Sequence, residues 1–251
     1  MCDMEIHKFL KPQESLEDLM IGDLKLIQKK SGFRFGTDAV LLSDFAKDIP
    51  SDMTLDLCSG SGIVPILLSH KSNAQKIFGL EIQEDIHEMS ERSVKINNLQ
   101  DKVELKLGDL KNITDFFPKR TFSVVTANPP YMKSGSGIES KDYSKHVSRH
   151  EALCTLEDVL HAAECMLKLG GHFVMVHRPS RLTDILYFMR KYKIEPKRLR
   201  FVLPKVNEEP SLVLIDGLLR GGEELKVLPP LVLYNENNEE TEELKAIYER
   251  R

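Results

Sequence analysis

The tetrapeptide Asn128-Pro129-Pro130-Tyr131 directly follows the apolar run at 122–127, where the chain is expected to end a β-strand. Two consecutive prolines cannot donate hydrogen bonds to a sheet ladder, so the chain must leave the sheet there. The Asn128 amide oxygen and the Pro129 carbonyl can accept two hydrogen bonds from one amino group, while the Tyr131 ring can stack on a flat base. These four residues are therefore candidate catalytic residues for a planar substrate with an exocyclic NH2 group, such as adenine.

Three other strand-like segments also end in residues that suit a nucleotide. Residues 54–57 lead into a turn with Gly60 and Gly62, which allow a ligand to approach the backbone closely. Glu81 closes the next apolar segment about 20 residues later, where an acid can hold the hydroxyls of a ribose, and Asp109 follows a third segment. Open parallel sheets bind ligands outside the carboxyl ends of their strands. The glycine spacing matches neither a pyrophosphate loop nor a P-loop, which disfavours NAD and ATP.

These motifs resemble those of the class I S-adenosylmethionine-dependent methyltransferases. More narrowly, they resemble the bacterial tRNA adenine-N6-methyltransferase family, which modifies an adenosine beside the anticodon of a valine tRNA. Three further segments carry the resemblance: residues 31–42, Val176-His177-Arg178-Pro179, and residues 196–202. One departure is Cys58, which stands where the cofactor loop of these enzymes usually has its first glycine.

The resemblance implies that S-adenosyl-L-methionine is the cofactor and that it lies across the four strand ends. Glu81 would hold its ribose hydroxyls and Asp109 its adenine amino group, while Asp56 would organise the loop. Because the methyl group moves in one displacement from a sulfonium, neither a metal ion nor a covalent enzyme intermediate is expected. The full set of expected cofactor-binding residues is Phe35, Thr37, Asp38, Asp56, Gly60, Gly62, Glu81, Ile82, Asp109, Leu110 and Asn128.

A basic segment near these residues predicts an RNA substrate. The whole chain has a formal net charge of −4, yet residues 176–205 contain nine Lys and Arg and only two acidic side chains. tRNA is the expected partner, and its target base must be unstacked to be reached, which favours a single-stranded loop. His146 and His150 could be proposed as a general base, but a lone histidine in a loop is more often solvated. The proton leaves only after the attack on the methyl group, so no strong base is expected. The expected phosphate contacts are Lys133, Arg149, Arg178, Arg181, Lys197, Arg198 and Arg200.

Three alternatives share parts of this pattern. A protein-glutamine N5-methyltransferase of the release-factor type uses the same tetrapeptide on a carboxamide NH2. That family carries a substantial N-terminal helical domain, and the first 50 residues here are not convincingly helical. An rRNA guanine-N2 methyltransferase is the second alternative, although Tyr131 favours adenine or glutamine in the family pattern. A non-catalytic cofactor-binding module is the third; such modules tend to lose the Asn or the acids, and all are present here.

Strand-like and helix-like segments alternate from residue 54 onward, which is typical of a parallel sheet with helices on both faces. The sequence therefore predicts an α/β fold with a doubly wound, mostly parallel seven-stranded sheet of the Rossmann-like class I methyltransferase type. The last two strands, at 198–203 and 212–219, should form an antiparallel hairpin, because the segment between them is too short for a crossover helix. Helices are expected over 86–97, 155–169 and 183–192.

The expected organisation along the chain has three parts. Residues 1–50 form an extension with a strand at 23–29, paired with the segment that follows it, and a helix capped by Thr37 or Asp38. Residues 51–220 form the methyltransferase domain, in which the segment 132–150 should be a loop that closes over the substrate. Residues 221–251 contain a strand at 231–234 and then a flexible acidic tail.

Composition favours a cytoplasmic location. The chain has 251 residues, of which 41% are apolar, and its four cysteines show no C-x-x-C spacing. No apolar run is long enough for a membrane span, and the first residues lack the pattern of a signal peptide. The cysteines are accordingly expected to be reduced thiols rather than disulfides or zinc ligands.

Overall fold

The computed structural model describes residues 7–30, 36–130 and 154–250, which form a two-stranded hairpin and a nine-stranded sheet flanked by helices. The strands are β1 (Glu14–Asp18), β2 (Lys25–Lys29), β3 (Met53–Leu57), β4 (Lys76–Glu81), β5 (Val103–Leu107), β6 (Phe122–Ala127), β7 (Leu167–His177), β8 (Ile194–Leu203), β9 (Leu212–Leu219), β10 (Lys226–Val227) and β11 (Leu231–Val232). The helices are α1 (Thr37–Ala46), α2 (Ile63–Lys71), α3 (Glu84–Ile96), α4 (Leu156–Met166), α5 (Leu182–Lys191) and α6 (Glu242–Ile247). Short 3-10 helices lie at His7–Phe9, Leu110–Asp115 and Pro179–Arg181.

The main sheet has the order β8-β9-β7-β6-β3-β4-β5. Strand β9 runs antiparallel to both of its neighbours, and the pairs from β7 to β5 are parallel. This arrangement confirms the predicted mostly parallel sheet and the β8–β9 hairpin. The short strands β10 and β11 pair with β8 and raise the number of strands to nine, above the seven predicted. A two-residue strand has no periodicity, so the sequence pattern does not reveal its place in a sheet.

The central strands are buried on both faces, which explains their nearly continuous apolar sequences. In β7, Val174 and Val176 pack with the residues of α1 and α2, whereas Phe173 and Met175 pack with those of α4 and α5. The two helical layers thus hold the sheet from opposite sides. Their packing fixes the relative positions of the strand ends.

The hairpin differs from the prediction in its partner strand. Strand β2 pairs with β1, which precedes it, whereas residues 31–35 of the predicted partner segment lie outside the described ranges. The turn between them contains Met20, Gly22 and Asp23, all with positive φ between 55° and 56°. The hairpin rests on α3, where the Ser93 hydroxyl accepts a hydrogen bond from Ile27 N at 3.0 Å. The tight turn, rather than the alternation of β2, determines which segment is the partner.

Helix α4 is shorter than predicted. It begins at a capping box between Thr155 and Asp158, as its sequence indicates, but it ends at Met166. Leu167 already pairs with Phe122 of β6, so the chain enters β7 there and the sheet register ends the helix. Gly170, with φ +74°, lies inside the long strand at an irregularity and not at the end of the helix.

The prediction of a flexible acidic tail is wrong for residues 242–247, because they form α6. Thr241 caps this helix by accepting a hydrogen bond from Leu244 N at 3.3 Å. Leu244 and Ile247 are buried against the α1–α2 layer. The Lys71 ammonium, itself almost fully buried, donates hydrogen bonds to the Ile247 carbonyl and to Asp44. An apolar pair spaced by three residues within an acidic segment is thus sufficient to anchor it.

Within the described ranges, no helix combines the length and the apolar character that crossing a bilayer requires.

Candidate active site

The candidate site lies beside β3, the strand on either side of which the later strands of the sheet are added. From β3 the chain proceeds to β4 on one side, and it later returns to β6 on the other side. Leu57 at the end of β3 lies opposite Ala127 at the end of β6. The Gly-rich loop and Asn128 therefore leave the sheet side by side, at the topological switch point where open α/β sheets bind their ligands.

The Gly-rich loop adopts backbone conformations that favour glycine. Gly60 has φ +55° and Gly62 has φ +79°, and Gly62 is the residue from which α2 begins. A side-chain carbon placed on Gly60 would meet no heavy atom within 4 Å, whereas one on Gly62 would lie 3.3 Å from Leu105 and Ser90. The loop thus presents open space above Gly60, while Gly62 permits the close packing of α2 on the sheet.

Glu81 holds this loop in place. Its carboxylate is 6% exposed, and Oε2 accepts a hydrogen bond from Gly60 N at 2.8 Å. Oε1 accepts from Gln83 N at 2.9 Å and from Gln83 Nε2 at 3.0 Å. A carboxylate has about four acceptor positions, and these bonds use three of them. One ribose hydroxyl can therefore bond to the remaining position, and a second would have to replace the Gln83 side chain. Gln83 is a contact that the sequence pattern did not identify.

The neighbouring strand ends provide an acid and two apolar side chains. Asp109 is partly exposed, and its Oδ1 accepts a hydrogen bond from Lys111 N at 2.9 Å, which caps the 3-10 helix that follows. Ile82 and Leu107 are 37% and 42% exposed, which is unusual for large apolar residues, and Leu110 is buried. Leu107 was not among the predicted site residues. The sequence feature that could have identified it is an apolar residue at the last position of a strand.

Asp56 is buried inside the sheet and connects β3 to β6. The Thr126 hydroxyl, from the residue opposite in register, donates a hydrogen bond to Asp56 Oδ1 at 2.6 Å. Burial raises the pKa of Asp56 to about 8, with the charge of Glu81 acting in the same direction and the Thr126 bond opposing it. The carboxyl group is therefore protonated at neutral pH and supports the loop as a neutral group.

We expect this proton to make stability depend on pH. Because the pKa of Asp56 is raised in the folded state, the folded chain binds one more proton than the unfolded chain between about pH 4 and pH 8. Stability should accordingly fall as pH rises through that window, and Asp56→Asn should remove this contribution. Denaturant unfolding at several pH values would show a stability difference between wild type and variant that changes with pH. Parallel curves would contradict the prediction.

Asn128, Pro129 and Pro130 continue directly from β6. Pro129 is buried and Asn128 is half-buried, so the turn is packed against the protein while the Asn128 side chain remains partly accessible. Several other predicted residues lie outside the described ranges, as does the predicted loop at 132–150: Phe35, Tyr131, Lys133, His146, Arg149 and His150.

Thr37 and Asp38 form the first turn of α1. The predicted helix cap is wrong, because the N-cap is Gly36, which makes no side-chain capping bond. Asp38 Oδ1 instead accepts a hydrogen bond from Ala39 N at 2.9 Å, within its own turn. Both side chains are half-buried.

The end of β7 brings further polar groups next to Asn128, because β7 pairs with β6. His177 is buried, and its Nδ1 accepts a hydrogen bond from Arg178 N at 2.8 Å. Burial, together with the nearby charge of Arg181, lowers the pKa of His177 to about 4, so the imidazole is neutral at pH 7. Arg178 Nη1 donates to the Ser211 carbonyl at 3.0 Å, and the exposed Arg181 pairs with Asp184 at 2.8 Å.

The structure does not bring Lys197, Arg198 and Arg200 to this edge of the sheet. They lie within β8, at least three residues before its carboxyl end, or about 10 Å along the strand. Arg198 Nε pairs with the buried Asp216 at 2.8 Å, and its guanidinium stacks on Phe45 at 4.6 Å. Arg200 pairs with Glu243 at 2.7 Å. Lys197 donates hydrogen bonds to the carbonyls of residues 222 and 223.

Comparison with known proteins identifies relatives of this architecture. Residues 30–186 match the family model described as the methyltransferase small domain. A relative from Porphyromonas gingivalis, named tRNA1(Val) (adenine(37)-N6)-methyltransferase, is 24% identical over 193 residues, which cover 74% of this chain and 75% of that protein.

Two solved structures share the fold. A predicted O-methyltransferase from Agrobacterium tumefaciens has a TM-score of 0.69 at 17% identity and covers 84% of this chain and 95% of its own. Geranyl diphosphate C-methyltransferase from Streptomyces coelicolor, solved with S-adenosyl-L-homocysteine, has a TM-score of 0.52 at 13% identity, with 72% and 74% covered. At these identities the likeness concerns the fold alone.

Proposed function

This chain belongs to the methyltransferase small domain family and uses S-adenosyl-L-methionine, and we propose that it methylates the exocyclic N6 of an adenosine in tRNA. The observation that carries the proposal is the register of β3 and β6, which sets the Gly-rich loop beside Asn128. A cofactor held over the loop would have its methyl group next to an amine held by Asn128. The tRNA adenine named for the relative provides the substrate class.

The residues at the strand ends fit the cofactor. The open space above Gly60 admits a ligand against the backbone, and Ile82 and Leu107 offer two exposed apolar surfaces for a flat ring. Asp109 would accept a hydrogen bond from the adenine amino group, and Glu81 would accept hydrogen bonds from the ribose hydroxyls. When bound, S-adenosyl-L-methionine supplies a methyl group on a positively charged sulfur.

Asn128 and Pro129 would act on the target amine. Its lone pair is delocalised into the adenine ring, which makes the nitrogen a poor nucleophile. Two acceptors, the Asn128 amide oxygen and the Pro129 carbonyl, would draw its hydrogens out of the ring plane and favour a tetrahedral nitrogen. Tyr131 would stack on the base and fix its distance. Positioning of this kind can contribute about 7–11 kcal/mol. A strong general base is unnecessary because the proton leaves after the nitrogen has attacked the methyl group.

The tRNA would approach over the end of β7. Arg178 and Arg181 lie at the same edge of the sheet as Asn128, and the exposed Arg181 guanidinium can exchange its surface ion pair for a phosphate at little cost. Lys133 and Arg149 lie outside the described residues and stay predicted phosphate contacts. The proposed compartment is the cytoplasm, where tRNA is present.

Methyl transfer to three acceptors in parallel tests the proposal. Radiolabelled S-adenosyl-L-methionine is supplied with unmodified tRNA, with rRNA or with a release factor, and labelled nucleosides or residues are identified. We expect label on tRNA, recovered as N6-methyladenosine. Label on rRNA guanine or on a release-factor glutamine would replace the substrate and keep the cofactor site. An absence of transfer to all three would overturn the proposed function.

Two variants that each remove one positive charge test whether tRNA binds at the edge of the sheet near Arg181 or along β8. Arg181→Gln should weaken tRNA binding and reduce the slope of log affinity against log salt by about 1, because one phosphate contact is lost. Lys197→Gln is the matched control, since the Lys197 ammonium is already bonded to backbone carbonyls. We expect it to leave the slope unchanged. A loss of slope in the Lys197 variant alone would contradict this placement of the RNA.

A further inference from the structure

Two cysteine side chains from distant parts of the chain meet beside the Gly-rich loop. Cys58 directly follows β3, and Cys154 lies two residues before α4. Their Sγ atoms are 3.8 Å apart, although 96 positions separate them in the chain. Both thiols are half-buried and pack against the same side of the core. The pair therefore joins the Gly-rich loop to the segment just before α4.

The separation is short enough for a disulfide to form by local movement. A disulfide requires an S–S distance of about 2.05 Å, so the two sulfurs must move closer by about 1.8 Å. Cys58 belongs to a loop and Cys154 precedes the first turn of its helix, so no regular element must break. The approach can be divided between side-chain rotation and a small shift of the loop.

The backbone at Cys58 is also unusual. Its φ of +58° lies in the left-handed region, which costs a cysteine about 1 kcal/mol or more and costs a glycine almost nothing. Here the position carries a thiol and retains that strain. Backbone strain of this kind is concentrated at functional sites in proteins.

The two thiols are chemically different. A hydrogen bond from Cys58 lowers the pKa of Cys154, and the same bond together with burial raises the pKa of Cys58. Cys154 is therefore the thiol that ionises first, and Cys58 is the proton donor beside it. A thiolate with a neighbouring thiol is the usual arrangement for oxidation to a disulfide.

We propose that Cys58 and Cys154 are a modification site, at which a peroxide forms an intramolecular disulfide that weakens cofactor binding. The Cys154 thiolate attacks one oxygen of hydrogen peroxide, the O–O bond breaks, and hydroxide leaves and takes up a proton to become water. Cys154 is then a sulfenic acid. The Cys58 sulfur attacks it, the S–S bond forms, the S–O bond breaks, and a second water leaves with the Cys58 proton. The two sulfurs lose two electrons, which the peroxide gains.

The bond acts on cofactor binding through the residues next to Cys58. Ser59 N donates a hydrogen bond to the Leu80 carbonyl at 3.0 Å, and Gly60 N donates to Glu81 at 2.8 Å. Movement of Cys58 toward Cys154 displaces this segment relative to β4. The Glu81 carboxylate then loses the amide that fixes it, and the space above Gly60 changes shape.

Peroxide treatment of the purified full-length protein tests the proposal. After titration with hydrogen peroxide and blocking of free thiols, peptide mapping should recover a linked Cys58–Cys154 peptide that dithiothreitol separates. S-Adenosyl-L-methionine affinity, measured by calorimetry, should fall about tenfold or more, equivalent to about 1.4 kcal/mol, and return on reduction. Cys154→Ser should keep its affinity after peroxide. Cys165→Ser, which removes a half-buried thiol outside the pair, should respond as the wild type does.

Two results would overturn the proposal. One is oxidation of Cys154 to the sulfinic acid without a linked peptide, and the other is a linked peptide with unchanged cofactor affinity. Cys58→Gly provides a second variant that cannot form the bond and that relieves the left-handed strain, in case Cys154→Ser does not fold. Because the readout is cofactor affinity, the result does not depend on whether tRNA is the methyl acceptor.

Discussion

Replacement of Asn128 with alanine is expected to lower kcat for methyl transfer by about 10²–10³-fold, the effect of removing one preorganised hydrogen-bonding group from a reaction centre. The loss should fall mainly on kcat, because the amide oxygen contributes most when the amine becomes tetrahedral. Single-turnover methyl transfer to tRNA, with both substrates saturating, measures this step directly.

Two further variants serve as controls for Asn128→Ala. Asn128→Asp keeps an oxygen acceptor at the same position, so it should retain more activity than the alanine variant. Asn237→Ala, at an exposed position in the turn before α6, should have wild-type activity. If Asn128→Ala has a wild-type kcat, the assigned role of the tetrapeptide is wrong, whatever the substrate.

Replacement of Arg92 with methionine is expected to lower the free energy of unfolding by about 3–5 kcal/mol, because it leaves the Glu14 carboxylate, whose side chain is 8% exposed, without its charged partner. Arg92 is 9% exposed, and its two terminal nitrogens bind the Glu14 oxygens at 2.6 and 2.7 Å. It also binds Glu88 at 2.9 Å and the Phe9 carbonyl. Urea unfolding at pH 7 measures the change.

The double variant Arg92→Met/Glu14→Met should recover much of this loss, because a buried ion pair often contributes little compared with apolar residues of similar size. Lys11→Met removes only an exposed partner of Glu88 and should change stability by about 1 kcal/mol at most. The Arg92 bond lowers the pKa of Glu14, so the stabilisation by the pair is present above pH 4.5 and is lost as pH falls below it. A single Arg92 variant as stable as wild type would contradict the prediction.

The sequence pattern predicts the strand ends well because glycine and proline mark where the chain must turn. Gly60, Gly62 and the proline pair after Asn128 each have a local backbone reason for their position. Because β3, β4 and β5 are parallel neighbours, Glu81 and Asp109 then lie at the same edge of the sheet as the Gly-rich loop. What local patterns cannot reveal is distance across the fold, as for Cys58 and Cys154, which are neighbours only because α4 packs on the sheet.

The basic segment illustrates the same limit. A count of charges over 176–205 shows an excess of Lys and Arg, but the partners of Arg198 and Arg200 lie 18 and 43 positions later in the chain. Asp216 and Glu243 come from β9 and α6, and their pairing with the basic segment appears only after the chain has folded. Local net charge therefore overstates how much of this segment remains available to a phosphate.

The order of strands at the β8 edge has a consequence for how the chain folds as it is synthesised. Strand β8 is made before β9, yet its described sheet partners are β9, β10 and β11, all of which come later. Until β9 emerges from the ribosome, β8 has no strand to join, and the outer edge of β7 is unpaired. A growing chain that stalls before Leu212 thus presents an apolar strand edge, which makes it a substrate for chaperones and a source of aggregation.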